Sequence, residues 1–221
     1  MKKDNNIIIF DTSEHFQKYI SQKALTIDLG AGTEGKCFLS EPDNAVYKIF
    51  HPDYERKTRG VYNLNKIITS QDIDIASFIF PDELYAVKRR LVGLRQKYIE
   101  SNLFGSENIF ENKESIYKID FDKLLNAYYI MIKDIEKLSQ EKIQIYDLPY
   151  NLMFTGDRLF GIDTLWYTKV DYNPIKENKT SLNLAITFLF HNWLELEETE
   201  ELYNETDTEK YIKGIQKILK R

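Results

Sequence analysis

The chain has 221 residues, enough for one large domain or two small lobes. Its hydrophobic fraction of 43% and charged fraction of 29% are those of an ordinary globular protein and exclude global disorder. With 30 basic against 35 acidic side chains the net charge is -5, so no overall positive field favours nucleic acid as a partner.

The cysteine and histidine content predicts neither a disulfide framework nor a zinc site. Cys37 is the single cysteine and the three histidines are far apart in the sequence, which favours a reducing compartment. The apolar run near the start, Ile7 to Phe10, is too short for a signal peptide, and no apolar stretch reaches membrane-spanning length. We therefore expect a cytoplasmic protein with no membrane among its partners.

Residues 1–100 are expected to form an N-terminal β-rich lobe. Short β-prone runs separated by Asp, Ser, Gly and Pro favour a small antiparallel sheet. One helix is predicted from about Asp53 to Ser70, after the start signal Pro52-Asp53. The predicted strands are Ile7 to Phe10, Leu25 to Leu29, Lys36 to Leu39, Ala45 to Phe50, Ile75 to Phe80, Leu84 to Val87 and Leu91 to Tyr98.

Residues 101–221 are expected to form a mainly helical C-terminal lobe. Apolar residues recur at three- and four-residue steps from Phe121 to Leu138, which is typical of an amphipathic helix. Two apolar runs, Asn151 to Phe154 and Arg158 to Ile162, flank a Thr-Gly-Asp turn and predict a hairpin. Further helices are predicted at Ser181 to Glu198 and Asp207 to Lys220. The predicted fold class is α+β with two lobes.

A glycine-rich motif lies between two of the predicted strands. The segment Gly30-Ala31-Gly32-Thr33-Glu34-Gly35 has the form G-x-G-x-x-G. A dinucleotide-binding fingerprint needs a helix after the glycines, whereas a strand is predicted here, which favours a phosphate loop of the kinase type. A glycine-rich hairpin without a ligand is the alternative.

Lys48 lies in the middle of the otherwise apolar strand Ala45 to Phe50. A buried ammonium without a partner is costly, so an anion is expected beside it. A strand lysine that follows a glycine loop suits the α- and β-phosphates of a nucleotide. A lysine on an edge strand, pointing to solvent, is the alternative.

A third segment completes a recognisable set of motifs. It runs Ile145-Tyr146-Asp147-Leu148-Pro149-Tyr150-Asn151 and continues, after the predicted hairpin, to Gly161-Ile162-Asp163-Thr164. With the glycine loop and Lys48 before it, this order resembles the protein-kinase-like superfamily, which includes the small-molecule kinases related to aminoglycoside and choline phosphotransferases.

The resemblance implies a two-lobed kinase-like fold, with ATP and Mg2+ as cofactors. It also implies roles for individual residues: Asp147 as the catalytic aspartate of H-R-D-x-x-x-x-N, with Asn151 and Asp163 as metal ligands. Gly30, Gly32, Gly35 and Lys48 would bind the nucleotide. The implied reaction is transfer of the γ-phosphate to a hydroxyl acceptor, either a small molecule or a protein.

The sequence departs from the family pattern at several places. Ile145 and Tyr146 stand where the family has histidine and arginine, and the step from Asp147 to Asn151 is four residues where the family pattern has five. D-F-G has become Asp163-Thr164-Leu165, and no A-P-E follows. Glu55 is a possible carboxylate partner for Lys48.

These departures leave two further hypotheses open. One is a catalytically inactive pseudokinase that acts as a nucleotide-binding or nucleotide-free interaction module. The other is nucleotidyl transfer by the same fold, which the sequence does not separate from phosphoryl transfer.

Overall fold

The computed structural model describes residues 2–4, 6–53, 64–100, 118–191, 202, 205 and 207–220. The chain divides into two compact units, one of Met1–Asp74 with Ile79–Ile99 and one of Ile75–Phe78 with Glu100–Arg221. Strands dominate the described part of the first unit and helices that of the second. The predicted α+β class is confirmed.

The first unit contains a seven-stranded sheet of order β1-β2-β6-β7-β5-β4-β3. Its strands are β1 (Lys2–Asp4), β2 (Ile7–Phe10), β3 (Ile27–Ala31), β4 (Gly35–Ser40), β5 (Ala45–Phe50), β6 (Pro81–Val87) and β7 (Arg90–Lys97). The prediction of a purely antiparallel sheet is wrong, because β2 and β6 run parallel. Parallel neighbours need a long connection, and here three other strands of the sheet lie between them in the chain.

A helix that the sequence analysis missed, α1 (Ser13–Ser21), follows β2. Thr12 caps it by accepting a hydrogen bond from the His15 backbone N–H at 3.3 Å. Its apolar side is short, with Phe16 and Ile20 buried against the sheet residues Tyr47 and Tyr85. Only one apolar turn faces the sheet, so the helical period is too short to recognise in the sequence.

Two predicted elements between β5 and β6 differ in the structure. Of the helix predicted over residues 53–70, residues 54–63 lie outside the described residues; Leu64–Lys66 is a 3₁₀ turn, and no helix continues to Ser70. The strand predicted from Ile75 to Phe80 is wrong, since only Phe78 makes a β-bridge, to Gly161. Ser77 to Phe80 are buried without forming a strand, which is why an apolar run misled the prediction.

Within its described residues, the second unit has three α-helices: α2 (Phe121–Gln140), α3 (Ile175–His191) and α4 (Thr208–Leu219). The predicted apolar stripe of α2 is confirmed, with Leu124, Met131 and Leu138 fully buried. Two pairs of short antiparallel strands complete this unit: β9 (Leu152–Phe154) with β10 (Leu159–Gly161), and β8 (Ile143–Gln144) with β11 (Thr168–Lys169). Among the described residues, no helix has the length and apolar character needed to cross a membrane.

Asn178, a fully buried residue of α3, fixes the chain that leads to Asp147. Its side-chain oxygen accepts the Ile145 N–H at 2.8 Å. Its amide nitrogen donates to the Ile143 carbonyl at 2.8 Å and to the Ser139 hydroxyl at 3.0 Å. Because buried polar backbone groups need partners, α3 determines where β8 ends and the next loop begins.

We expect Asn178→Ala to lower the free energy of unfolding by about 3 kcal/mol, because three buried hydrogen bonds are lost. Asn183→Ala on the same helix is the control, since the Asn183 side chain accepts one bond, from the Tyr128 hydroxyl. It should cost about 1 kcal/mol. Urea denaturation measures both, and equal losses would contradict the anchoring role.

Candidate functional site

The glycine motif forms the connection between β3 and β4. Gly30 has a φ of 112°, and its N–H donates to the Asp28 carboxylate at 2.9 Å. The Gly32 N–H donates to the Gly35 carbonyl at 2.9 Å, which closes a tight turn. A strand follows the motif, as predicted, and no helix begins there.

The three glycines differ in what the structure requires of them. A Cβ on Gly35 would lie 2.2 Å from the Ile49 carbonyl oxygen, so β4 and β5 could not keep their spacing. Gly30 is needed for its left-handed backbone. A Cβ on Gly32 would meet nothing within 4 Å. Local structure therefore explains Gly30 and Gly35 without a ligand, and leaves Gly32 unexplained.

Lys48 is buried in β5 and pairs in register with Cys37 of β4 and Leu94 of β7. Its Nζ lies 2.5 Å from a Glu34 carboxylate oxygen, and the side chains are only 11% and 17% exposed. The expected anion is thus a residue of the glycine loop itself. The other partner considered, Glu55, lies outside the described residues.

Glu34 was missed by the sequence analysis, although a signal for it exists. Gly35 pairs with Phe50 at the start of β4, and the His51 N–H donates to the Glu34 carbonyl at 2.8 Å. Extending the hairpin register by one residue would have placed Glu34 beside the end of β5.

In the second unit, Asp147 begins the turn that follows β8. It has φ 55° and ψ 21° and precedes the 3₁₀ turn Leu148–Tyr150. The Asn151 amide nitrogen donates to the Asp147 carbonyl at 3.0 Å. The Asn151 side chain therefore bridges the four-residue step back to Asp147 through its amide nitrogen. Its amide oxygen is the side-chain atom that can ligate a cation.

The hairpin of β9 and β10 brings Asp163 to the same place. Asn151 immediately precedes β9, and the Ile162 N–H donates to the Asn151 carbonyl at 2.9 Å across the hairpin ends. Asp163 follows with φ 53° and ψ 47° and begins the 3₁₀ turn Thr164–Trp166. Asp147, Asn151 and Asp163 are thus neighbours in the fold.

The negative charges of Asp147 and Asp163 both affect the pKa of Tyr167. Its pKa is raised above the usual range, first by burial and then by the negative charges of Asp163 and Asp147. Tyr167 is 2% exposed and its ring packs edge-on against Phe78, with 5.9 Å between centroids. Two carboxylates therefore act on one buried hydroxyl, which the sequence analysis had not assigned to the site.

The chemistry of these donors fits magnesium held together with a substrate phosphate. Mg2+ prefers oxygen ligands and is usually held by one or two carboxylates plus phosphate oxygens. Asp163 and Asn151 offer a carboxylate and an amide oxygen. Within the described ranges, no group of three or more His, Cys, Asp or Glu is placed to hold a metal ion.

Comparison with known proteins adds no assignment. No protein-family model matches the chain, and neither does any curated protein. Function is therefore argued from two groups of residues: the glycine loop with Lys48 and Glu34, and the turn and hairpin that carry Asp147, Asn151 and Asp163.

The two glycines at Gly32 and Gly35 provide a test of the loop geometry. Gly35→Ala should destabilise the protein by about 1 to 3 kcal/mol, because the new methyl group meets the backbone of β5. Gly32→Ala should change stability by less than about 0.5 kcal/mol, since its Cβ enters open space. Thermal denaturation of the two variants measures both changes in stability. A larger loss in Gly32→Ala than in Gly35→Ala would contradict the described register of β4 and β5.

Proposed function

We propose that this protein is an ATP- and magnesium-dependent phosphotransferase that moves the γ-phosphate to a hydroxyl acceptor. The observation that carries the proposal is the convergence of Asp147, Asn151 and Asp163 through one turn and one hairpin. Two carboxylates and an amide oxygen are the groups that phosphoryl transfer needs for accepting a proton and holding a cation. We extend the proposal to the fold, as a two-lobed arrangement of the protein-kinase type.

Backbone conformation supports functional roles for both aspartates. Among the described residues, five other than glycine have a positive φ, and two of them are Asp147 and Asp163. Left-handed backbone costs free energy at a residue with a Cβ, although aspartate tolerates it better than most. Each conformation places a carboxylate at the start of a 3₁₀ turn, where neither caps the turn with its side chain.

The proposed reaction assigns one task to each residue. The acceptor hydroxyl oxygen forms a bond to the γ-phosphorus, and the bond from that phosphorus to the bridging oxygen of ADP breaks. ADP leaves with the electron pair, and the hydroxyl proton passes to the Asp147 carboxylate, which is exposed to solvent and acceptor. Bound magnesium would neutralise charge on the β- and γ-phosphates. Asp163 and Asn151 would hold that ion, while Asn151 keeps its hydrogen bond to the Asp147 carbonyl.

Lys48 would contact the α- and β-phosphates only after a change of partner. Its ammonium bonds Glu34, so a phosphate has to displace that carboxylate or share the cation with it. Gly32, whose Cβ position is open, lets the backbone of the loop come close to an anion. Gly30 and Gly35 would shape the loop.

The same ion pair favours the second candidate, a pseudokinase that works as an interaction module. Because Glu34 neutralises Lys48, this buried ammonium has its counter-charge without a nucleotide. Ile145 also favours the pseudokinase. It stands where the kinase-like family has histidine, and its buried side chain anchors the loop through apolar packing. Nucleotidyl transfer stays a third hypothesis, because the same ligands would serve attack at the α-phosphate.

The decisive experiment compares Asp163→Asn with Asp147→Asn in nucleotide affinity and in phosphate transfer from labelled ATP. Asp163→Asn should abolish the part of ATP binding that depends on magnesium, because an amide replaces a charged ligand. Asp147→Asn should leave ATP affinity unchanged but slow transfer by about 10² to 10⁴, the usual contribution of a general base.

Asp157→Asn in the hairpin turn is the matched control. Neither the magnesium-dependent affinity for ATP nor the rate of phosphate transfer should change in this variant. Asp157 is exposed and its carboxylate accepts a hydrogen bond from the Thr155 hydroxyl. Identical magnesium dependence in Asp163→Asn and wild type would overturn the metal assignment. ATP binding by the wild type without transfer to any acceptor in a broad panel, autophosphorylation included, would favour the pseudokinase.

A further inference from the structure

A cavity of about 440 Å³ lies in the first unit, between α1 and the sheet. Its lining includes Phe16 of α1 together with Lys36 and Ile49, which are paired in register. Lys48 and Cys37 form the next pair along, and successive residues of a strand point to opposite faces. Lys36 and Ile49 therefore point to the face of the sheet opposite the Lys48 side chain. Phe50, whose ring centroid lies 5.7 Å from the Lys48 Nζ, also lines the cavity, which thus reaches the end of β5.

The lining of this cavity combines an apolar interior with positive charge. Phe16, Phe38 and Ile49 give it aromatic and aliphatic walls. Lys36, His51 and Arg90 supply basic groups, and among the lining residues that the structure describes none is an aspartate or glutamate. Within the described lining, basic groups therefore outnumber acidic ones, in a chain whose net charge is -5.

The three basic residues are not equivalent. His51 has its Nε2 at 3.1 Å from the Gly32 carbonyl, so that nitrogen is engaged with the loop. Arg90 is half-buried and adds positive charge at the edge of β7. Lys36 is exposed, with a flexible side chain that can reach a ligand at the cavity mouth.

We infer that this cavity binds a small amphipathic anion, an apolar body that carries one carboxylate. Ligand cavities of about 300 to 1,000 Å³ with apolar walls and a few polar groups are the usual form of small-molecule sites. The apolar body would contact Phe16, Phe38 and Ile49, and the carboxylate would pair with Lys36. This inference does not depend on the proposed phosphotransferase activity, because the four residues that would contact the ligand are not those assigned to nucleotide binding or transfer.

Octanoate is the probe for the test, with octan-1-ol and octyltrimethylammonium as neutral and cationic controls of the same chain length. Titrations followed by ¹⁵N–¹H NMR should show saturable octanoate shifts at Gln17, Lys36 and Ile49. Lys36→Gln should weaken octanoate binding about tenfold, as expected when a charged hydrogen bond is lost. Lys97→Gln, an exposed lysine at the far end of β7, should leave it unchanged.

Three results would overturn the inference. They are no saturable shift at millimolar octanoate, equal affinity for octyltrimethylammonium, and unchanged octanoate affinity in a folded Lys36→Gln protein. Lys48→Met should keep octanoate binding, so a failure of the nucleotide site and a failure of this cavity are separate outcomes. Loss of octanoate binding in Lys48→Met would also count against the cavity as a distinct site.

Discussion

The first unit carries a buried positive charge that needs a partner. Lys48 occupies the middle of β5, with strands on both sides, and a lone ammonium there would cost several kcal/mol. Glu34 supplies the counter-charge from the glycine loop at 2.5 Å. The loop is therefore tied to the sheet by an ion pair as well as by the backbone bonds at Gly32 and His51. Any anion that binds Lys48 must displace this carboxylate or share the ammonium with it.

In the second unit, buried hydrogen bonds determine where the acidic residues Asp147 and Asp163 lie, each at the start of a turn. Asn178 holds the chain up to Ile145, and the hairpin register then returns the chain to Asp163. Gly161 permits this return, because a Cβ there would lie 2.6 Å from the Phe78 ring. Asp147 and Asp163 both take left-handed conformations, and their negative charges act on Tyr167.

Sequence patterns predicted what depends on period and turn chemistry. Strand β5, helix α2 and the hairpin of β9 and β10 were found because alternation, helical spacing and a Thr-Gly-Asp turn are local signals. Helix α1 was missed because its apolar side is only one turn long. The parallel pairing of β2 with β6 was missed because it depends on contacts between distant segments. The run from Ile75 to Phe80 misled the prediction because burial alone does not specify a strand.

For the candidate site, the order of motifs pointed to the residues but not to their partners. The resemblance singled out Asn151 and Asp163, and the hairpin predicted between them is present. Gly35 was expected to bind nucleotide, whereas the structure needs it for the close approach of β4 and β5. The partner of Lys48 required the hairpin register, and the involvement of Tyr167 required knowledge of its burial. Such pairings are set by the tertiary fold, so composition and spacing do not reveal them.

The most direct test of the account replaces Glu34 and measures ATP affinity by calorimetry, with thermal stability beside it. If phosphate and Glu34 compete for Lys48, Glu34→Gln lowers the stability of the free protein and tightens ATP binding by about tenfold, because the competing anion is gone. Glu41→Gln, an exposed residue of the next turn that contacts Thr26, should change neither. Unchanged or weakened ATP binding in Glu34→Gln would contradict the role of Lys48 as a phosphate contact.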